Sequence, residues 1–289
     1  MIGLIAGLIL PGVAQAMRPY LPELIALLLL LAAYRIGPQT AIGNLGAMGQ
    51  TLIRVGLFQL AAPLVALALL WAVGLSTTIP GMVMILLLTA PPVVGSPNLT
   101  ILLGHDPAAA MRQLLVGTVL FPLTVLPVLL LLPGLGDPAM MILGALRLMV
   151  VIGLSVGFAF ALRFWRGGAL SEDVSAAIDG ASAIVLGVIV IGLMSAIGPA
   201  LETAPGQVVV WLGYALALNF GLQIAANLWL RNRSNASDRV AISVVAGNRN
   251  IALLLLSLPA ATIEPFLLFI GCYQVPMYLT PLLMRRILR

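Results

Sequence analysis

Gly95-Ser96-Pro97-Asn98 and Gly247-Asn248-Arg249-Asn250 are two short polar, helix-breaking stretches set in an otherwise apolar chain. They occupy matching places in its two halves. In a bilayer every backbone N–H and C=O needs an internal partner, so irregular backbone at membrane depth survives only where protein buries it or where it lines a polar cavity. Paired breaks of this kind point to a binding site near the bilayer midplane, between two structural repeats.

The rest of the chain fits that setting. Of its 289 residues 62% are hydrophobic and only 8% charged, and the mean hydropathy is +1.16. That composition excludes a soluble globule and defines an integral membrane protein whose first partner is the lipid bilayer. A spanning helix uses roughly 20 apolar residues. Apolar runs divided by polar and Pro/Gly punctuation predict helices near 1–16, 20–35, 48–74, 78–104, 108–132, 138–165, 172–199, 206–230, 238–258 and 264–288. The expected fold is therefore an all-α membrane protein of ten transmembrane helices forming one transporter domain, 1–289. Its first repeat covers about 1–134 and its second about 135–289. Five helices per repeat is an odd number, so the second repeat enters the membrane upside down. The fourth and ninth helices carry the breaks. The first run ends in Val13-Ala14-Gln15-Ala16 like a secretory signal, but no Lys or Arg opens it, and it is read as a retained helix.

The net charge of +5 is carried on the basic side by arginine alone. Arg35, Arg112, Arg163, Arg166, Arg231, Arg233, Arg239, Arg285, Arg286 and Arg289 fall at or near one set of helix ends. Only Arg18 lies clearly at the other, with Asp137, Glu202 and Glu264. The positive-inside rule then places both termini in the cytoplasm of a multi-pass protein, expected in a bacterial inner (plasma) membrane. Arginines with this topological explanation give no reason to expect nucleic acid. The single cysteine, Cys272, excludes an internal disulfide or thiolate cluster. With no metal-ligand cluster, nucleophile triad or phosphate loop, an enzyme is not expected, nor a cofactor or metal centre.

The breaks carry the candidate chemistry. At Ser96-Pro97-Asn98 the proline removes a donor and frees carbonyls. In the second break two carboxamides flank an arginine, whose burial at membrane depth costs from about 3 kcal/mol upward. Arg249 either pairs with helix-end carbonyls or meets the carboxylate or sulfonate of an organic anion, which suits its planar fork. The second reading is preferred. Asn219 and Gln223, four apart, share a helix face. The candidate substrate-binding set is Ser96, Asn98, Asn219, Arg249 and Asn250. Gln223 and Gln274 are read as interhelical hydrogen-bond formers, Arg54 and Asp179 as snorkelling residues, and His105 as a loop residue.

The chain resembles the bile acid:sodium symporter family, within the larger bile acid/arsenite/auxin transporter superfamily. The likeness lies in Pro19-Tyr20-Leu21-Pro22, Gln59 followed by Ala61-Ala62-Pro63, Pro92 to Asn98 leading into Leu99-Thr100, Asn219, and Gly247-Asn248-Arg249-Asn250. It implies a core of helices three to five and eight to ten and a panel of helices one, two, six and seven. The broken helices cross in the core, and alternating access comes from motion of panel against core. Sodium-coupled members carry a glutamate where this chain has Val244, and further ligands fall at Met111, Leu115 and Pro97. The oxygen ligands that remain for sodium are Gln59, Asn248 and carbonyls around Val244 and Val245. Arg249 offers a fixed positive charge in place of the cation. The function implied is secondary transport of an organic anion with sodium coupling weakened or lost. A symporter retaining one cation site is the alternative within transport, and a non-transporting membrane sensor on the same scaffold is the alternative from another class. The fourth helix has no cysteine for a thiophilic arsenite.

Overall fold

The structure, a computed structural model, describes residues 2–38, 45–167 and 170–288. Arg289, assigned above to the basic set, lies outside the described residues. All regular structure among them is helical: α1 Ile2–Ile9, α2 Pro11–Ile36, α3 Ala47–Ala72, α4 Ile79–Thr89, α5 Ser96–Leu102, α6 Ala108–Leu131, α7 Pro138–Arg166, α8 Glu172–Thr203, α9 Pro205–Leu230, α10 Ala236–Gly247, α11 Leu254–Ser257 and α12 Ala260–Leu283. Seven of these, α2, α3, α6, α7, α8, α9 and α12, are long and apolar enough to cross a membrane. They expose large apolar side chains such as Ile53, Leu69, Leu143, Leu154, Val209 and Leu282, as a lipid-facing surface requires. The chain has the architecture of a multi-pass helical membrane protein.

Helix boundaries follow local chemistry. Asp137 caps α7 through Ala139 N (2.9 Å) ahead of Pro138, and Asn235 caps α10 through Asp238 N (2.8 Å). Gly37 (φ 76°) and Gly167 (φ 66°) take the left-handed backbone that closes α2 and α7.

The first boundary differs from the expectation. A helix over 1–16 followed by another at 20–35 is replaced by the short α1 and the long α2, with the break at Leu10 and Pro11 at the first position of the new helix. Gly3 lies against Gly187, Gly7 against Ile191 and Met194, and Pro11 against Gly198, so α1 runs parallel to α8. The chain then returns: Leu21 meets Gly192, and Arg35 pairs with Asp179. The eight residues of α1 rise about 12 Å, beside one half of α8 only.

Two groups of helices emerge. In one, termed the panel, α2 packs on α7 and α8 and α1 packs on α8, while α7 also packs on α6 and α11 of the other group, termed the core. In the core, α10 packs on α5, α6 and α9, α3 packs on α6, and α9 also contacts α12. The short helices α4 and α10 are the most buried: Val240 through Gly247 are all inaccessible, as are nearly all residues of α4 from Gly81 onward.

Candidate functional site

The two breaks meet. Pro92 and Arg249 form an isolated antiparallel bridge, with Val93 N donating to Asn248 O (2.9 Å) and Asn250 N to Pro91 O (2.7 Å). The chain between α4 and α5 therefore crosses the chain between α10 and α11 at the centre of the protein. Helix breakage at these points removes intrahelical partners, and the crossing restores part of them.

Arg249 restores more. It is 2% exposed; its Nε donates to Ala246 O (2.8 Å) and its Nη1 to Ala90 O (3.0 Å). These carbonyls lie at the C-terminal ends of α10 and α4, where the helix dipoles gather negative charge. One guanidinium thus clamps two half-helices end to end, and its Cζ stands 5.6 Å from the Phe58 ring centroid, within cation–π range. Of the two readings of Arg249, the geometry is that of helix-end pairing.

A buried polar network closes the other side of the second break. Asn219 Nδ2 donates to Gly247 O (2.6 Å), and Tyr273 Oη donates to the same carbonyl. Gln223 Nε2 donates to Asn219 Oδ1 (2.7 Å) and Thr280 Oγ1 (3.1 Å), and the single Thr280 hydroxyl proton has Pro276 O (3.0 Å) and Asn248 Oδ1 (3.2 Å) within reach. Gly247 is held so close to α9 that an added Cβ would lie 2.2 Å from Asn219 O.

The candidate substrate residues accordingly separate. Asn98 is exposed and lines a crevice, Asn250 borders a small central cavity, and Ser96 is buried with its Oγ unpartnered. Asn219 and Arg249 turn their polar atoms to backbone and neighbouring side chains. Of the candidate cation ligands, Val244 O accepts both Asn248 N and Asn248 Nδ2 (each 2.9 Å), which fills a carbonyl. Asn248 O accepts Val93 N, Asn248 Oδ1 lies within reach of Asn219 Nδ2 (3.3 Å) and Thr280 Oγ1 (3.2 Å), and Val245 is fully buried. Gln59 sits on a π-helical turn, Leu57–Ala61, buried beside Gly117 with both carboxamide atoms unpartnered. Gln59 Oε1 is thus the side-chain oxygen of this set that has no hydrogen-bond partner, and a hard cation needs several oxygen donors. Among the described residues no group of three or more His, Cys, Asp or Glu converges on a metal position.

Panel and core are separated unevenly. Towards the end where α2 finishes and α8 begins, a crevice of about 350 Å³ opens between them. The panel lines it with Arg35, Asp179 and Ser182, the core with Gly95, Pro97 and Asn98. Deeper, against Asn250, Gln274 and Met277, the space narrows to a cavity of about 30 Å³, room for one water. On the opposite side the groups touch directly: a Cβ on Gly144 of the panel would lie 1.9 Å from Ser257 O, one on Gly271 of α12 would lie 2.8 Å from Leu193 O, and Arg18 pairs with Glu264.

Tyr273 is the residue that sequence reasoning missed. Its signal was a phenol in the middle of an apolar run, where a buried hydroxyl must find an acceptor. Comparison of the sequence with known protein families and with curated proteins finds no match.

Proposed function

We propose that this protein is a secondary transporter of organic anions working by alternating access, built like the bile acid:sodium symporters it resembles, with Arg249 standing where the relatives use a bound cation. The observation that carries the reading is the crossing of two broken helices between two helix groups that are open to one side and sealed on the other. A crevice that ends at the crossover, and a seal made by glycine-close helix contacts, are the two halves of an alternating-access cycle. Ten spans in two inverted repeats is the topology that accommodates α4–α5 and α10–α11 as equivalent elements. With arginine-rich ends inside, the crevice and the C-terminal end of α12 face the cytoplasm, as suits a bacterial inner-membrane carrier, whereas α1 begins beside Gly187, part-way along α8.

Arg249 carries its charge permanently. A guanidinium fixed between Ala90 O and Ala246 O neutralises two helix ends without any ion being taken up, so the cycle runs without sodium. The unpaired carboxamide of Gln59 favours the second reading, a symporter that retains one cation position.

Thermal unfolding of the detergent-purified protein in sodium, potassium and choline chlorides at fixed ionic strength, with and without organic anions including a bile salt, tests both. A ligand that binds only the folded state raises stability by about 2.7 kcal/mol at a hundred times its Kd. Stabilisation by an anion regardless of the cation is expected; stabilisation specific to sodium would select the symporter, and no response to any anion would sink the transport reading.

A further inference from the structure

We infer that Arg35, and not Arg249, is the cation that receives the anionic group of a substrate in the crevice, and that Asp179 occupies its fork while no substrate is bound. The inference rests on the anion-transport reading and names the recognition residue of the same site. Arg249 has two donors committed to carbonyls and is almost wholly enclosed. Among the described residues lining the 350 Å³ crevice, Arg35 is the only basic one. It pairs with the carboxylate of Asp179; the other polar side chains lining the crevice are the neutral Ser182 and Asn98, and the remaining wall is apolar.

The Arg35–Asp179 pair has the form of a displaceable contact. Arg35 Nε donates to Asp179 Oδ1 (3.0 Å) and Nη2 to Oδ2 (3.3 Å), the two-pronged geometry a guanidinium also offers to a carboxylate or sulfonate. The side chains are 43% and 58% exposed, and an ion pair this wet contributes little to stability. Arg35 is on α2 and Asp179 on α8, both in the panel, so sliding of panel against core neither makes nor breaks the pair. It is placed for recognition rather than as a gate. An incoming anion exchanges one carboxylate for another at the guanidinium, and apolar substrate surface fills the space beside Ala32, Ile36 and Met111.

The test is binding of cholate and of a naphthalenesulfonate to the purified full chain, by calorimetry, for the wild type, Arg35→Gln, Arg35→Lys and Asp179→Asn, with thermal unfolding recorded for each. Arg35→Gln is expected to weaken binding at least about tenfold, the loss of one charge-assisted contact. Asp179→Asn should tighten it by about twofold to fivefold by removing the competitor, and Arg35→Lys should retain part of the affinity. These opposite signs separate recognition from a structural strut, for which both single variants would weaken binding and lower the unfolding temperature together. Equal binding by the wild type and Arg35→Gln would overturn the inference and leave the transport reading standing. Failure of the wild type to bind either anion would overturn both.

Discussion

The first break offers mainly acceptors and the second mainly donors, with Val93 N to Asn248 O the one backbone bond that runs the other way. Between α4 and α5 the chain contains Pro91 and Pro92, then Pro97 at the start of α5, none with a backbone N–H. It presents the carbonyls of Ala90 and Pro91, which are taken by Arg249 Nη1 and Asn250 N. The second break has no proline, and its Asn248-Arg249-Asn250 is rich in N–H groups. Two chain halves that look alike as interruptions are thus complementary as chemistry. Each break's orphaned groups are served in part by the other break and in part by side chains such as Asn219 and Tyr273.

That asymmetry is open to attack at single residues. Arg249→Met keeps the volume and deletes the donors, leaving Ala90 O and Ala246 O unpartnered. A loss of about 2–4 kcal/mol is expected from two orphaned buried acceptors, measured as a shift in the detergent unfolding curve, and an unchanged curve would show that the clamp holds nothing. Gly247→Ala pushes a methyl into Asn219 O and Gln223 Cγ, for which about 1–3 kcal/mol is expected. Tyr273→Phe removes one of two donors to Gly247 O while Asn219 keeps the other, so about 1 kcal/mol is expected; a much larger loss would place the network's weight on the phenol. Gly95→Ala, the matching change in the first break, meets nothing within 4 Å at φ −76° and should stay within about 0.5 kcal/mol. If Gly95→Ala proved as costly as Gly247→Ala, the distinction between the breaks would fall.

The breaks were legible because proline, glycine and clustered polar residues have one local meaning in an apolar chain, and α4–α5 and α10–α11 stop where those residues stand. The membrane class was legible from composition alone. The start of α2 was not: Pro11 lies in an apolar run without polar punctuation, and a proline reads equally as a kink or as the first residue of a new helix. For Arg249, the sequence posed the right question, since a buried guanidinium must have partners. Its partners are backbone carbonyls, one of them 159 positions away, and carbonyls carry no residue-type signal. Gln223 as an interhelical bonder agrees with its bond to Thr280 of α12. Asp179 was read alone near a helix end; its pairing with Arg35 across 144 positions depends on how α2 lies on α8, which no local pattern encodes.

The distance in sequence between the two breaks bears on how the chain is made. The carbonyls of Ala90 and Pro91 are written into the first third of the polypeptide, while their donors Arg249 and Asn250 come near its end. During synthesis the early half-helix must therefore wait, its free acceptors served by water or by the insertion machinery, because each left unserved in hydrocarbon costs several kcal/mol. Arg249 has the converse problem, arriving as a charge that enters the bilayer only against a prepared receptor. The crossover therefore closes late in synthesis: a nascent chain stopped short of residue 249 leaves the carbonyls of Ala90 and Pro91 without the partners they have in the folded protein.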